Sequence, residues 1–504
     1  SGSAINYKKV HFRNSELLQR AQMIWTRTSG EEDLLSPHLV DLENDELLGK
    51  EIGPVSLYNE PNLNDGTEYS LRFVGLDPAG NVSDTVIIKN ILYDVTPPLL
   101  SISSPESDIY TAKSEMLFDV NENIYNFEIT WIGKSLTNES DEKIYSHSDV
   151  LLAGSYNSDD LFNPELLDAR TYRISINGFD RANNKGLESS ISKIKVDLTP
   201  PEFSNLLPES GSFINLASIG WSLSENIDSG TVYFKRNTSD ARLEAVLDGE
   251  ELNAGIKQPA PLSNYVALRD GEVYTISIIG KDFASNVSKE ISVSNITYDT
   301  SPPKISIISP EQGSFVNSNE ISYTVNEPLT VAEMIWEGDG QESLSFKLRN
   351  DDILEGKHVL KDYGVNPKEK VFYTIFIKGI DRASNAGISD SLTSVTFDIT
   401  PPEFAFSYPS NDLPVNTTKI SFKLSEELEK GAITWIATKG EDPLSPHTKD
   451  FEGDQKNEGE KLDFIFSDPP KLLDGVTYQI VISGTDLAGN KGANMVLNNI
   501  LFDT

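Results

Sequence analysis

Five glutamates set the frame of this chain. Glu16, Glu122, Glu225, Glu327 and Glu426 each lie four residues after an aromatic (Phe12, Phe118, Trp221, Tyr323, Phe422) and nine before another (Trp25, Trp131, Phe234, Trp336, Trp435). Further on, Tyr69, Tyr172, Tyr274, Tyr373 and Tyr478 each stand eight residues before an aspartate, in the runs GLDPAGN, GFDRANN, GKDFASN, GIDRASN and GTDLAGN. From those aspartates (Asp77, Asp180, Asp282, Asp381, Asp486) it is always 17 residues to another (Asp94, Asp197, Asp299, Asp398, Asp503), and 28 more to the next glutamate. All length variation falls between the central aromatic and the tyrosine. A period of about a hundred residues, rigid at both ends and elastic in the middle, is a complete domain repeated in tandem and is too long for a solenoid repeat.

Within a unit the apolar period is two. In Tyr172-Arg-Ile-Ser-Ile-Asn-Gly178 the set Tyr172, Ile174, Ile176 alternates with Arg173, Ser175 and Asn177, as on a strand with one buried face. Such runs, broken by Gly, Pro, Asn and Asp turns and with no long helical pattern, predict an all-β antiparallel sandwich. The expected domains are residues 1–95, 96–198, 199–300, 301–399 and 400–504. Counting 28 back from Glu16 falls before residue 1, so the first unit is expected to lack its linker and much of its first strand, and Ser1-Gly-Ser3 reads as a cloning remnant. Truncation accounts for that; an open sheet edge awaiting a donor strand is the sharper alternative.

The landmarks match an immunoglobulin sandwich, in which a strand-B residue faces a strand-F residue, a strand-C tryptophan packs on both, and a tyrosine stands two residues before the strand-F position. Here the strand-B aromatic precedes the central aromatic by 13 residues in every unit, and Leu71, Ile174, Ile276, Ile375 and Ile480 follow the tyrosine by two. With no cysteine in the chain, apolar packing replaces the disulfide. The third unit has Trp221 at the strand-B position and Phe234 at the central one; a large-small exchange conserves core volume, so the two positions are expected to touch.

On these residues, and on its Asp-x-Thr-Pro-Pro links and Ser-Glu strand ends, the chain resembles the bacterial Ig-like repeats of surface-layer proteins and large extracellular adhesins. The resemblance implies five tandem Greek-key sandwiches in an extended rod, at the bacterial cell surface or outside the cell. Repeats of this kind serve as stalks, spacers and binding modules, so fold analogy alone does not assign the task.

Absence of cysteine excludes thiolate metal sites and cysteine nucleophiles. With 42 basic against 78 acidic residues, formally −36 and dispersed, the surface would repel nucleic acid and anionic membranes, but it suits hard cations. No run approaches the ~20 apolar residues of a membrane span. The five histidines (His11, His38, His147, His358, His447) show no zinc spacing and accompany no nucleophile elbow or phosphate loop, so no enzyme is expected. His38 and His447 both sit in Ser-Pro-His, which reads as a local turn. The six Asn-x-Ser/Thr sequons, such as Asn237 and Asn416, read as incidental in a bacterium.

The linkers carry the sharpest expectation. Two prolines in series, at Pro97-Pro98, Pro200-Pro201, Pro302-Pro303 and Pro401-Pro402, fix two φ angles and hold the preceding residue extended. A unit should span on the order of 40 Å and five roughly 200 Å. The B–C and F–G loops lie where the chain enters, so four groups should converge: Asp94, Glu122, Asp180 and Asn184; Asp197, Glu225, Asp282 and Asn286; Asp299, Glu327, Asp381 and Asn385; Asp398, Glu426, Asp486 and Asn490. Three carboxylates and an amide oxygen suit Ca²⁺, the one cofactor considered. The same residues also suit metal-free turn and cap chemistry, with Ser285 and Ser384 arguing against a strict left-handed turn position.

The expected function is a structural stalk or spacer, partnered by other domains of the same polypeptide or by self-association in a surface filament. Two alternatives stay open. One is recognition of a glycan or protein by the elastic segments 26–68, 132–171, 235–273, 337–372 and 436–477. The other is an accessory array attached to a secreted enzyme.

Overall fold

In the second unit the alternating runs form eight strands: β1 (Leu100–Ser104), β2 (Tyr110–Thr111), β3 (Leu117–Val120), β4 (Asn126–Lys134), β5 (Ser140–His147), β6 (Gly154–Asn157), β7 (Arg170–Phe179) and β8 (Ser189–Val196). This computed structural model describes residues 2–134 and 140–504, so part of the elastic segment 132–171, and Ser1 of the leading Ser-Gly-Ser, lie outside the described residues. The strands make two sheets, ordered β6-β3-β1 and β5-β4-β7-β8-β2. All pairs are antiparallel except β2 with β8. Two sheets connected in this order are the immunoglobulin-like sandwich that the landmarks imply.

The third and fourth units repeat both sheets, the fourth with an added short strand, Ala386–Ile388. In the fifth a single parallel bridge, Val415 to Phe502, stands in place of β2. In the first unit the smaller sheet has two strands, Val10–Arg13 and Glu51–Val55, with none in the place of β1 among the described residues. Phe12 is accordingly only half-buried, whereas Phe118, Tyr323 and Phe422 are fully buried.

Register explains the fixed spacings. The central aromatic lies directly across from the residue two after the tyrosine: Trp131 opposite Ile174, and likewise Trp25 with Leu71, Phe234 with Ile276, Trp336 with Ile375, Trp435 with Ile480. These two landmarks are therefore neighbours in one sheet. The tyrosine ring meets the tryptophan edge-on in three units, with centroids 6.3 Å (Trp25–Tyr69), 6.0 Å (Trp131–Tyr172) and 5.6 Å (Trp336–Tyr373) apart. In all five units its hydroxyl accepts the backbone N–H of the residue five before it, at 2.8 to 3.0 Å. Each buried aromatic of this kind stabilises its core by about 2–3 kcal/mol.

The buried apolar side chains fall into five separate clusters among the described residues, one per repeat. Trp221 and Phe234 share one of them, at 3% and 0% exposure. Ser175, expected on the outward face, is also buried, because this small side chain sits mid-sheet between Thr130 of β4 and Ser190 of β8.

The elastic segments are more ordered than variable loops would be. Each holds an edge strand of the larger sheet, a 3₁₀ turn and the outer strand of the smaller sheet. Reciprocal caps hold the turn in three units, Glu43 with Glu46, Asp248 with Glu251 and Glu452 with Gln455.

Candidate functional site

The turn joining β7 to β8 begins the site. Asp180 Oδ1 accepts the Asn184 N–H at 2.8 Å, and Asp282, Asp381 and Asp486 repeat this bond with Asn286, Asn385 and Asn490 at the same distance. The residue before the asparagine is left-handed throughout, with φ of 88° at Gly80, 70° at Asn183, 73° at Ser285, 71° at Ser384 and 91° at Gly489. This corrects the expectation drawn from the serines: the position does require positive φ, and the aspartate-to-amide bonds hold serine in it despite the steric cost to a Cβ.

The asparagine side chain reaches out of its own unit. Asn184 Nδ2 donates to the carbonyl of Asp94 in the linker at 2.8 Å and to Asp180 Oδ2 at 2.7 Å. Asn286, Asn385 and Asn490 make the same pair of bonds, to the carbonyls of Asp197, Asp299 and Asp398 and to their own turn aspartates. Both acceptors are oxygens, so the amide must present its nitrogen. Through that nitrogen the asparagine clamps the linker, a role the expected oxygen donor did not include.

The linker is held from the other side too. Asp197 Oδ1 accepts the Thr199 N–H at 3.1 Å, closing an Asx turn that Asp94, Asp299 and Asp398 also make. Asp168, on the turn that opens β7 in the preceding unit, accepts the Leu198 N–H and the Thr199 hydroxyl, both at 2.7 Å. Asp65, Asp270 and Glu369 do the same for Thr96, Ser301 and Thr400. These acids were not singled out from the sequence, although each stands 29 residues before its linker aspartate and four before its tyrosine. Past the prolines, Leu99, Glu202, Lys304 and Glu403 donate their N–H to Asn121, Ser224, Asn326 and Ser425, the residues just before the frame glutamates.

Every expected carboxylate trio converges. In Asp94/Glu122/Asp180, Asp197/Glu225/Asp282, Asp299/Glu327/Asp381 and Asp398/Glu426/Asp486, one oxygen from each residue lies within 4.8 Å of the others. The turn aspartates are almost wholly buried, at 1–4% exposure. Among the described residues none of the twelve carboxylates forms an ion pair, and Glu122, Glu225 and Glu426 make no hydrogen bond. Cap chemistry thus occupies the linker and turn aspartates but leaves these glutamates without a partner. Burial, and then the charge of their neighbours, pushes Glu122, Glu225 and Glu327 above the ordinary carboxylate range, and Glu426 up to about 7. Burial likewise raises Asp94, Asp197 and Asp299. Buried and half-buried oxygens of like charge with no ion-pair partner among the described residues are a donor set that fits a hard divalent cation.

The Ser-Pro-His runs do more than turn. His38 Nε2 lies 2.5 Å from Asp33 Oδ2, which also accepts the Tyr69 hydroxyl at 2.6 Å; Asp442 gathers His447 and Tyr478 alike, both at 2.6 Å. These bonds tie an edge hairpin to the tyrosine of the neighbouring strand. They hold Asp33 and Asp442 below the usual carboxylate range in spite of burial.

No family model and no curated protein matches the chain. Among solved structures it is similar to a tetra-tandem repeat in the extending region of a large adhesion protein, at 13% identity over 80% of this chain and 100% of that one, with a TM-score of 0.27. It is also similar to the FN1–FN3 domains of chicken CNTN1, at 14% identity over 60% of this chain and 98% of that one, with a TM-score of 0.20.

Proposed function

We propose that this chain is a structural stalk or spacer segment of a large bacterial extracellular or cell-surface protein, in which five sandwich units are held in line by joints that bind calcium. The observation that carries this reading is the linker itself. It is hydrogen-bonded to the preceding unit through Asp65, Asp168, Asp270 or Glu369 and to the following one through Asn184, Asn286, Asn385 or Asn490. A chain whose units moved independently would have no use for such bonds at every joint. Calcium would be held by Asp94, Glu122 and Asp180 and by the three corresponding trios, with further oxygens from backbone or water. It would neutralise three crowded carboxylates and tie the linker to two loops of the next unit. No helix among the described residues is long and apolar enough to cross a membrane, and no catalytic role is assigned.

Calorimetric titration of the full chain with calcium tests the cation: up to four equivalents should bind, one for each trio. At a hundredfold excess over Kd each occupied site would stabilise its joint by about 2.7 kcal/mol. Glu225→Gln should remove one equivalent. Superimposable melting curves in calcium and in chelator would dismiss the cation and leave the hydrogen-bonded spacer standing.

A further inference from the structure

The joints touch at a second place. The residue that follows the buried turn aspartate, Arg181, Phe283, Arg382 or Leu487, belongs to the loop between the last two long strands of its unit. From there Phe283 and Arg382 face the short parallel strand, the counterpart of β2, of the unit before them. The ring of Phe283 lies 6.2 Å from that of Tyr110. Arg382 stands 5.5 Å over the ring of Phe213, and beside it Asn215 donates to Asn385 at 3.1 Å. At the last joint Asn317 lies 3.6 Å from where a Cβ would stand on Gly489. At the second and third joints the partners differ in chemistry while the place in the fold does not.

We propose that these contacts are struts that set the angle between consecutive units, working beside the linker and independently of any bound cation. A proline-stiffened link hydrogen-bonded along its own length restricts bending; a contact set away from the link restricts rotation about its direction. The second joint is best built for this. Tyr110 is already positioned within its own unit, because Lys195 lies 4.7 Å over its ring and is itself held by Asp108 at 2.9 Å. That ring packs against Phe283, itself 55% exposed. A flat ring on the short strand accepts either an aromatic or a guanidinium, since its face attracts both. Phe213 with Arg382 and Tyr110 with Phe283 are two versions of one contact.

The absence of cysteine allows two spin labels to be placed without side reactions, at Glu142→Cys and Glu244→Cys, exposed positions in the second and third units. The interspin distance distribution of the full chain in chelator should be narrow. Phe283→Ala or Tyr110→Ala should broaden it, with the melting curve unchanged because both side chains are exposed. Phe283→Arg should keep it narrow, and Leu187→Ala, an exposed apolar site outside the contact, should leave it as in the parent. A distribution unaffected by either alanine, or one as broad in Phe283→Arg as in Phe283→Ala, would overturn the proposal.

Discussion

Asn286 shows how much a single side chain contributes to a joint. It satisfies a linker carbonyl and a turn carboxylate that is 2% exposed, so its removal leaves two acceptors without their donor. Asn286→Ala should cost about 1–3 kcal/mol, read from denaturant unfolding of the third unit. Asn81→Ala should cost less, since among the described residues the Asn81 amide bonds only its own turn aspartate, Asp77. Glu426 is the residue through which pH should act. Burial, Asp398 and Asp486 raise it from the ordinary 4.5 to about 7, so the folded state binds its proton more tightly than the unfolded chain does. That contribution to stability is fully present below pH 4.5 and is lost as pH rises to about 7. In chelator, thermal melts should therefore show the fifth unit weakening across this window. Glu426→Gln should abolish the slope; a pH-independent parent would contradict the crowding described above.

At the scale of the element, the larger sheet carries the repeat's identity. The central aromatic, the residue opposite it and the tyrosine are bound together by strand register, so their sequence spacing cannot drift without moving a side chain to the wrong face. The third unit places the bulkier ring on the smaller sheet instead. Trp221→Phe should leave a cavity and Phe234→Trp should overpack, each costing about 1–3 kcal/mol. The double exchange, which restores the arrangement of the other units, should recover most of the loss in a double-mutant cycle. Additive penalties would mean that the two positions do not share packing.

For the whole molecule the question is what keeps consecutive units in a set relation. A formal charge of −36 favours separation of the units at low salt, yet repulsion alone sets no angle. The linker bonds restrict bending and the proposed struts would set the angle, with a carboxylate trio as an electrostatic weak point at each joint. Small-angle scattering of the full chain should therefore give a larger maximum dimension in calcium than in chelator. Asp168→Ala combined with Asp270→Ala, which frees the hydroxyls of Thr199, Thr300 and Ser301 from the preceding units, should reduce it further. A profile insensitive to both changes would place the stiffness elsewhere.

Much of this organisation was legible in the chain alone. Invariant intervals between apolar and acidic landmarks determined the repeat, the strand period determined the sandwich, and the loops at the entry end determined which carboxylates meet at Asp94, Asp197, Asp299 and Asp398. Spacing reports distance along the chain and is silent on which end of an amide faces a neighbour. The donor role of Asn184 and its counterparts, the reach of Asp65 and Asp168 across to a threonine in the linker, and the meeting of Tyr110 with Phe283 were therefore decided only by tertiary structure. Each depends on how two separately folded units are presented to one another.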